Sequence, residues 1–287
     1  MKRPSLFGLA ACAAIALSAC GQEPAGEPVV RTEIGSGVAE SDTKPAPAVD
    51  PSPSPTPTVA SACRSATFEG ATFTHCLADP AKHRIVTALG PAGGAPYRSF
   101  AKLAAARNAD APAVAFAMNG GMYDGEGKPI GYYVENGDRL EELNRAEGPG
   151  NFHMKPNGVF YGTGGTWRIR TADDFYANVS QRPQFGTQSG PMLVIGGKLH
   201  PKIAEDGPSK AIRNGVGIDS AGRAHFVISQ GPISFGVLAR YFRDELKTPN
   251  ALFLDGNVSA LWDPARGRMD SGARFGPMLV IEEKETR

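Results

Sequence analysis

What most constrains this chain is how often its apolar runs are cut short. From about residue 61 onward, apolar or alternating runs follow one another, each ended by Gly, Asn, Asp or Pro before it can lengthen. SATFEGATFTHC, HRIVTALG, AVAFAM, IGYYVENG, GVFYG, TWRIR, PMLVIGGKL, GVGID, RAHFVIS, ALFLDG, VSALWD and GPMLVIEEK are all of this kind. Such runs suit strands, because a helix needs longer unbroken periodicity. The dipeptides Asn136-Gly137, Asn157-Gly158, Gly164-Gly165, Gly196-Gly197 and Asp255-Gly256 favour tight hairpins. Two segments read as helices. Residues 97–108 carry Phe100, Leu103 and Ala104 on one stripe. Residues 234–247 carry Leu238, Tyr241 and Phe242 at helical spacing, with Ser234 as N-cap and Lys247-Thr248-Pro249 as the stop. A third, short helix fits 171–178. The expected class is α+β: a mixed, mainly antiparallel twisted sheet with two or three helices in a single domain, 61–287.

The amino-terminal end reads differently. Lys2 and Arg3 precede an apolar stretch over 6–19 that is too short to span a bilayer and ends in small residues, as a secretory signal does. Leu17-Ser18-Ala19-Cys20-Gly21 resembles the bacterial lipobox, in which the cysteine becomes the lipidated first residue. Gly21 and Gln22 follow Cys20 with no aspartate, which resembles sorting to the outer membrane, facing the periplasm. The expected organisation is a signal over 1–19, a lipidated cysteine with a Pro/Ser/Thr-rich tether over 20–60, and one folded domain. The tether extends roughly 3 Å per residue in its Pro-rich part. The lipid is then the expected membrane contact. Once Lys2 and Arg3 leave with the signal, 28 of the 30 basic residues face 29 acidic ones. So balanced a charge argues against a broad nucleic-acid face. With Cys12 in the signal and Cys20 lipidated, Cys63 and Cys76 are expected to pair in an oxidising compartment. Their bridge would contribute about 2–3 kcal/mol and pin the 66–75 strand region to the domain. A metal site from Cys63, His75 and Cys76 is disfavoured, since neighbours along a strand face opposite sides.

HExxH, G-x-S-x-G, P-loop and CxxC signatures are missing. Present instead are polar clusters against apolar runs: Asn119-Gly120-Gly121 with Asp124, Gln188-Ser189, Arg213-Asn214, and Asp255 with Asn257 and Ser259. Amides, carboxylates and an arginine on glycine-framed turns suit a polyhydroxylated ligand with an anionic group. No metal or cofactor is expected, although a Ca²⁺ held by loop carbonyls would leave no sequence signature. In this order, AFAMNGGMYD, PIGYYVENG, LNRAEGPGNFHMKPNGVFY, QSGPMLVIGGKLHP, IRNGVGID and NALFLDGNVSALW resemble the phosphodiester glycosidase family, in its bacterial branch. The resemblance spans roughly 80–285 and implies a hydrolase acting at a sugar-1-phosphodiester in an envelope or extracellular glycan. Where the family usually shows LDGGGS, this chain has Leu254-Asp255-Gly256-Asn257-Val258-Ser259.

On that basis Asp255, and second Asp124, are the expected catalytic carboxylates. Asn119, Gly120, Gly121, Gln188, Ser189, Arg213, Asn214, Asn257 and Ser259 are the expected substrate contacts. Arg213 and the N–H groups of Gly120 and Gly121 would take the phosphate. Each position also has a plainer reading. Asp255-Gly256 fits a type I′ hairpin turn, Asn119-Gly120-Gly121 a turn needing positive φ, Asp124 a loop cap, and Gln188-Ser189 an ordinary strand entry. Glu135 reads as hairpin surface, and His153 as structural. The repeated GPMLVI at 190–195 and 276–281 reads equally as a pseudo-repeat or as coincidence of two buried strands. The competing functional class is a non-catalytic envelope lipoprotein that grips an anionic glycan.

Overall fold

The computed structural model describes residues 60–255 and 258–284. All of these belong to one compact unit, Pro55–Arg287; a second unit, Met1–Ser54, lies outside the described residues. The signal, Cys20, the tether up to residue 59, and Gly256 and Asn257 also lie outside them.

Along the chain the elements are β1 (Cys63–Phe68), β2 (Ala71–Ala78), β3 (His83–Ala88), α1 (Phe100–Ala106), β4 (Val114–Asn119), β5 (Tyr133–Glu135), β6 (Asp138–Glu141), β7 (Gly158–Thr163), β8 (Thr166–Thr171) and α2 (Ala172–Asn178). They continue as β9 (Phe185–Ser189), β10 (Met192–Ile195), β11 (Lys198–Leu199), β12 (Asn214–Ile218), β13 (Ala224–Ser229), α3 (Phe235–Arg240), β14 (Asn250–Phe253), β15 (Leu261–Asp263), β16 (Arg268–Met269) and β17 (Met278–Glu283). They form a seven-stranded sheet, β1-β2-β13-β12-β14-β10-β11, and two five-stranded sheets, β16-β15-β4-β17-β3 and β6-β5-β9-β7-β8. Every pairing among the described strands is antiparallel, so the sheets are antiparallel throughout rather than mixed.

The three sheets meet on a shared core. Phe116, Met118, Leu279 and Ile281 from one, Phe226, Val216 and Leu252 from another, and Phe160, Trp167 and Phe185 from the third pack together there. Each sheet turns its outer face to one helix: Leu238 and Ala239 of α3 cover the seven-stranded sheet, Phe100 and Leu103 of α1 the sheet of β4, and Phe175 of α2 the sheet of β7. Strands covered on both faces must be apolar at successive positions. That is why AVAFAM and MLVI run unbroken instead of alternating.

Local signals account for much of this. Ser99, Thr171 and Ser234 cap the three helices through their side-chain oxygens. The third helix continues past Arg240 as a π turn over Tyr241–Glu245 and stops at Lys247, whose φ is 53°. Asn136-Gly137 turns β5 into β6 with φ of 53° and 85°. SATFEGATFTHC is a hairpin turning at Glu69-Gly70, with Cys63 opposite Cys76. The disulfide therefore ties the two strands of one hairpin together, instead of pinning one strand to the domain as expected. Asn157-Gly158 is not a turn: Gly158 starts β7, and Asn157 donates to Phe152 O at 2.9 Å. The two GPMLVI segments occupy different sheets, β10 between β14 and β11, β17 between β4 and β3. They share one detail. Pro191 O accepts from Phe253 N and Pro277 O from Gly120 N, so each carbonyl anchors a strand end that leads to a candidate site residue.

Candidate active site

β4 ends at Asn119, β12 begins at Asn214, and β14 is followed by Leu254 and Asp255. These three ends, from two different sheets, come together. Asn119 Oδ1 accepts from Asn214 Nδ2 at 2.7 Å and from Ala260 N at 2.8 Å, while its Nδ2 donates to Val258 O at 2.7 Å. Asn214 Oδ1 accepts from Asp255 N at 3.1 Å. Oxygen and nitrogen of a carboxamide are told apart by their partners, and here backbone groups of known character settle both orientations. Both asparagines are fully buried, and Asp255 is 5% exposed.

More bonds reach the same segment. Ser189 Oγ donates to Leu254 O, and the Ser259 hydroxyl lies within hydrogen-bonding distance of Asp255 O at 3.4 Å and of Ile212 O at 3.1 Å. Four residues expected to touch substrate, Asn119, Ser189, Asn214 and Ser259, thus have their polar atoms on the stretch carrying Asp255 or its immediate neighbours. They form a cradle for that carboxylate.

β14 and β15 belong to different sheets, so ALFL and VSALW do not pair as a hairpin. Gly120 and Gly121 also serve differently from either expectation. Neither has a positive φ. Gly120 N donates to Pro277 O at 2.7 Å and Gly121 N to Thr187 Oγ1 at 3.0 Å, so the N–H groups expected to bind phosphate are committed. A Cβ on Gly121 would lie 2.1 Å from Gln188 O, so close backbone approach demands glycine there.

Arg213 is corrected as well. Strand alternation sends it to the helix side of its sheet, away from Asn214. Its guanidinium lies 3.7 Å over Phe235, Nε donates to Ile233 O at 2.9 Å, and Nη2 to Ser209 O and Oγ at 3.0 Å. Only 2% of the residue is exposed, and burial lowers its pKa. It is a packing arginine, and it does not join Asn119 and Asp255. Gln188 is a staple: its Oε1 accepts from Tyr132 N and Asn144 N, both at 2.9 Å, and its Nε2 donates to Asn144 O at 2.6 Å. Asp124 is exposed and caps the next turn by accepting from Glu126 N and Lys128 N, each at 2.9 Å. Glu135, expected on a hairpin surface, is half-buried and accepts from Leu89 N and Tyr133 Oη; burial raises its pKa despite those bonds.

The sequence reading missed two residues. The Tyr123 hydroxyl donates to Arg274 O at 3.2 Å; burial first, then the negative charge of Asp255, pushes the phenol's pKa up, and Arg98 opposes the shift. Arg98 lies 5.6 Å over the Tyr123 ring. Tyr123 stands inside the quoted NGGMYD, so an aromatic hydroxyl within a polar cluster was the available signal. Beside Ser259 opens a cleft of about 330 Å³ lined by Ala211, Ile212, Val258, Asp270 and Phe275. Among the described residues no group of three or more His, Cys, Asp or Glu is arranged to hold a metal ion.

Comparison with known proteins bears on this geometry. The profile of the phosphodiester glycosidase family matches residues 113–283. The uncharacterized protein YigE of Escherichia coli (strain K12) is 40% identical over 171 residues, which cover 60% of this chain and 66% of YigE. Among solved structures, the catalytic domain of zebrafish N-acetylglucosamine-1-phosphodiester alpha-N-acetylglucosaminidase, auto-inhibited by its pro-peptide, superimposes with a TM-score of 0.53 at 15% identity, covering 77% of this chain and 82% of that one. A hypothetical protein from Synechocystis aligns with a TM-score of 0.47 at 13% identity, over 77% and 61% of the two chains.

Proposed function

The chain belongs to the phosphodiester glycosidase family, and from that premise we propose that it hydrolyses a glycosyl-phosphodiester linkage in a cell-envelope or extracellular glycan, with Asp255 as the reacting carboxylate. The observation that supports this most is the convergence of Asn119, Ser189, Asn214 and Ser259 on the segment of one buried carboxylate. Burial and neighbouring donors are how a protein aims a single ionisable group.

In this reading Asp255 accepts a proton from the attacking water and faces the positive charge that develops at the anomeric carbon. The bond from that carbon to the phosphate oxygen breaks, and its electron pair leaves with the phosphomonoester. Arg98, which lies over the Tyr123 ring and whose charge, like that of Asp255, acts on that phenol, contributes positive charge, a part first expected of Arg213. We further propose that the mature protein is anchored through a lipidated Cys20 at the outer membrane, facing the periplasm. The motif at 17–21 supports this.

A panel of sugar-1-phosphodiesters tests the reaction. The mature protein is expected to release free sugar and phosphomonoester in equal amounts. Asp255→Asn is expected to lower turnover by on the order of 10²–10⁴-fold while binding stays measurable. Binding without turnover by the wild type would favour the glycan-gripping lipoprotein instead.

A further inference from the structure

β8 is the outer strand of its sheet, and a groove of about 770 Å³ runs along it. Every residue of the strand, Thr166–Thr171, lines that groove. The rest of the lining includes Ile195, Ile218, the turn over 219–222 and Asn250 at the start of β14. The groove is separate from the candidate active site. β12 starts by that site at Asn214 and reaches the groove at Ile218, while β14 starts in the groove at Asn250 and runs toward Asp255. At 3.3 Å per residue the two places stand about 15 Å apart along those strands.

The edge of β8 is open. Ala172 N donates to Asn157 O at 2.9 Å, which sets the alternation of the ladder with β7, so that Arg170, Arg168 and Thr166 exchange bonds with that strand. Trp167 and Ile169 therefore turn their N–H and C=O groups outward, where no described strand pairs with them. The register with β7 is unbroken, and β8 carries neither the proline nor the bulge that commonly blunts an edge. Its outward groups recur about every 7 Å, the spacing of the donors and acceptors on one side of an extended peptide.

The side chains alternate to match. Trp167 and Ile169 belong to the core, against which Ile195 and Ile218 pack, whereas Arg168 and Arg170 face the other way. The two carboxylates of the lining are taken: Asp174 accepts from Arg170 at 2.6 Å and Asp219 from Arg223 at 2.7 Å. Arg168 is exposed and has no hydrogen-bond or ion-pair partner among the described residues. Lys284 brings a further cation to one end of the groove, where its Nζ donates to Pro80 O at 2.6 Å. We propose that this groove binds an extended acidic peptide segment of a partner protein, which adds to β8 as an antiparallel strand. Its main chain pairs with Trp167 and Ile169, its carboxylates lie beside Arg168, and its alternate apolar side chains meet Ile195 and Ile218. A glycan has charge to offer Arg168 but no main chain to match the edge. The proposal goes beyond the hydrolytic reading and does not rest on it.

The probe is a seven-residue peptide alternating valine and glutamate, acetylated and amidated at its ends. It is titrated into the whole chain while amide exchange is followed by NMR. The Trp167 and Ile169 amides are expected to exchange about tenfold more slowly or better when the peptide binds. Arg168→Glu is expected to weaken the glutamate peptide by about tenfold and to favour a counterpart with lysine in place of glutamate. Methylating the valine nitrogens of the peptide, which face β8 in this pairing, is expected to abolish binding, whereas methylating the glutamate nitrogens is tolerated. That contrast uses the unaltered protein, so it decides the matter even if Arg168→Glu folds poorly. Unchanged exchange at Trp167 and Ile169, equal binding of the glutamate and lysine peptides, or equal effects of the two methylated sets overturn the proposal. An oligogalacturonate that binds with the Arg168 dependence denied to the peptide overturns it too, in favour of a glycan. Phosphodiester turnover is expected to be the same in Arg168→Glu as in the wild type, and a chain that cleaves no phosphodiester leaves the peptide result untouched.

Discussion

Two buried polar networks sit in this molecule, and they are built on opposite principles. Around Asp255, two neutral carboxamides and two hydroxyls are locked by backbone N–H and C=O groups. On the helix side of the seven-stranded sheet, side chains lock one another. His75 Nε2 lies 3.0 Å from His225 Nδ1, His225 Nε2 lies 3.1 Å from Asp219 Oδ2, and Arg64 Nε points at His75 Nδ1 from 3.4 Å. Burial pushes the Asp219 pKa up, but bonds from His225 and Arg223 outweigh it and bring the pKa below its usual value. Ionised Asp219 requires a proton on His225 Nε2, which makes His225 Nδ1 an acceptor and His75 Nε2 a donor. The chain of donation runs one way, Arg64 to His75 to His225 to Asp219, and it has no place for another proton. The carboxamide network does not titrate, whereas the histidine chain works only while its rings are neutral. A protein can thus frame one buried carboxylate with groups that do not titrate and keep its pH sensitivity elsewhere.

The largest expected effect tests the first half of that contrast. Asn119→Ala removes the partners of Val258 O, Ala260 N and Asn214 Nδ2 together. It should cost about 3–5 kcal/mol of stability, since each buried group left unsatisfied costs roughly 1–3 kcal/mol. Denaturant unfolding at pH 7.5 and pH 5 should show a similar loss, because amides do not titrate; a loss confined to one pH would break the distinction.

Acid tests the second half. Burial first, then His225 and Arg64, press the His75 pKa down to about 3 from 6.5 in the unfolded chain. Burial also lowers His225 and His200. Between the folded and unfolded values the unfolded chain binds a proton that the folded chain refuses, so stability must fall as pH drops below 6.5. The slope is about 1.4 kcal/mol per pH unit for each such histidine. Calorimetry from pH 7.5 to 4.5 should show a falling Tm, and a flat Tm would mean the histidines charge in place.

The smallest effect concerns Arg213. Arg213→Lys gives up the fork that reaches Ile233 O and Ser209 together, and should cost about 1–2 kcal/mol. KM for a phosphodiester should stay within about twofold, whereas a tenfold rise at unchanged stability would return this residue to the site.

Much of the fold was legible because its causes are local. Glycine and asparagine turns, hydroxyl caps at Ser99, Thr171 and Ser234, and short apolar runs each act within a few residues. The candidate site was legible as a set of positions but not as a set of roles. Asn119, Asn214, Ser189 and Ser259 were all singled out, yet their partners lie on the Asp255 segment. Arg213 and Asn214 are adjacent in the chain and face opposite sides of the sheet. No feature of RNG says which side each takes, because that follows from how β12 pairs with β13 and β14.

By itself, the sequence determined roughly where most strands and helices lie, that the sheets would be antiparallel in the main, and which polar clusters stand against their ends. Those are matters of backbone preference and side-chain period. Only the tertiary structure decided that β14 and β15 lie in different sheets, that the glycines of NGG permit close contact instead of binding an anion, and that the amides of Asn119 and Asn214 meet the stretch carrying Asp255. These depend on which strand ends are brought within hydrogen-bonding distance across 40 to 140 residues (Asn214 to Asp255 is 41 and Asn119 to Ala260 is 141). Pairing between sheets, rather than any local preference, sets that distance.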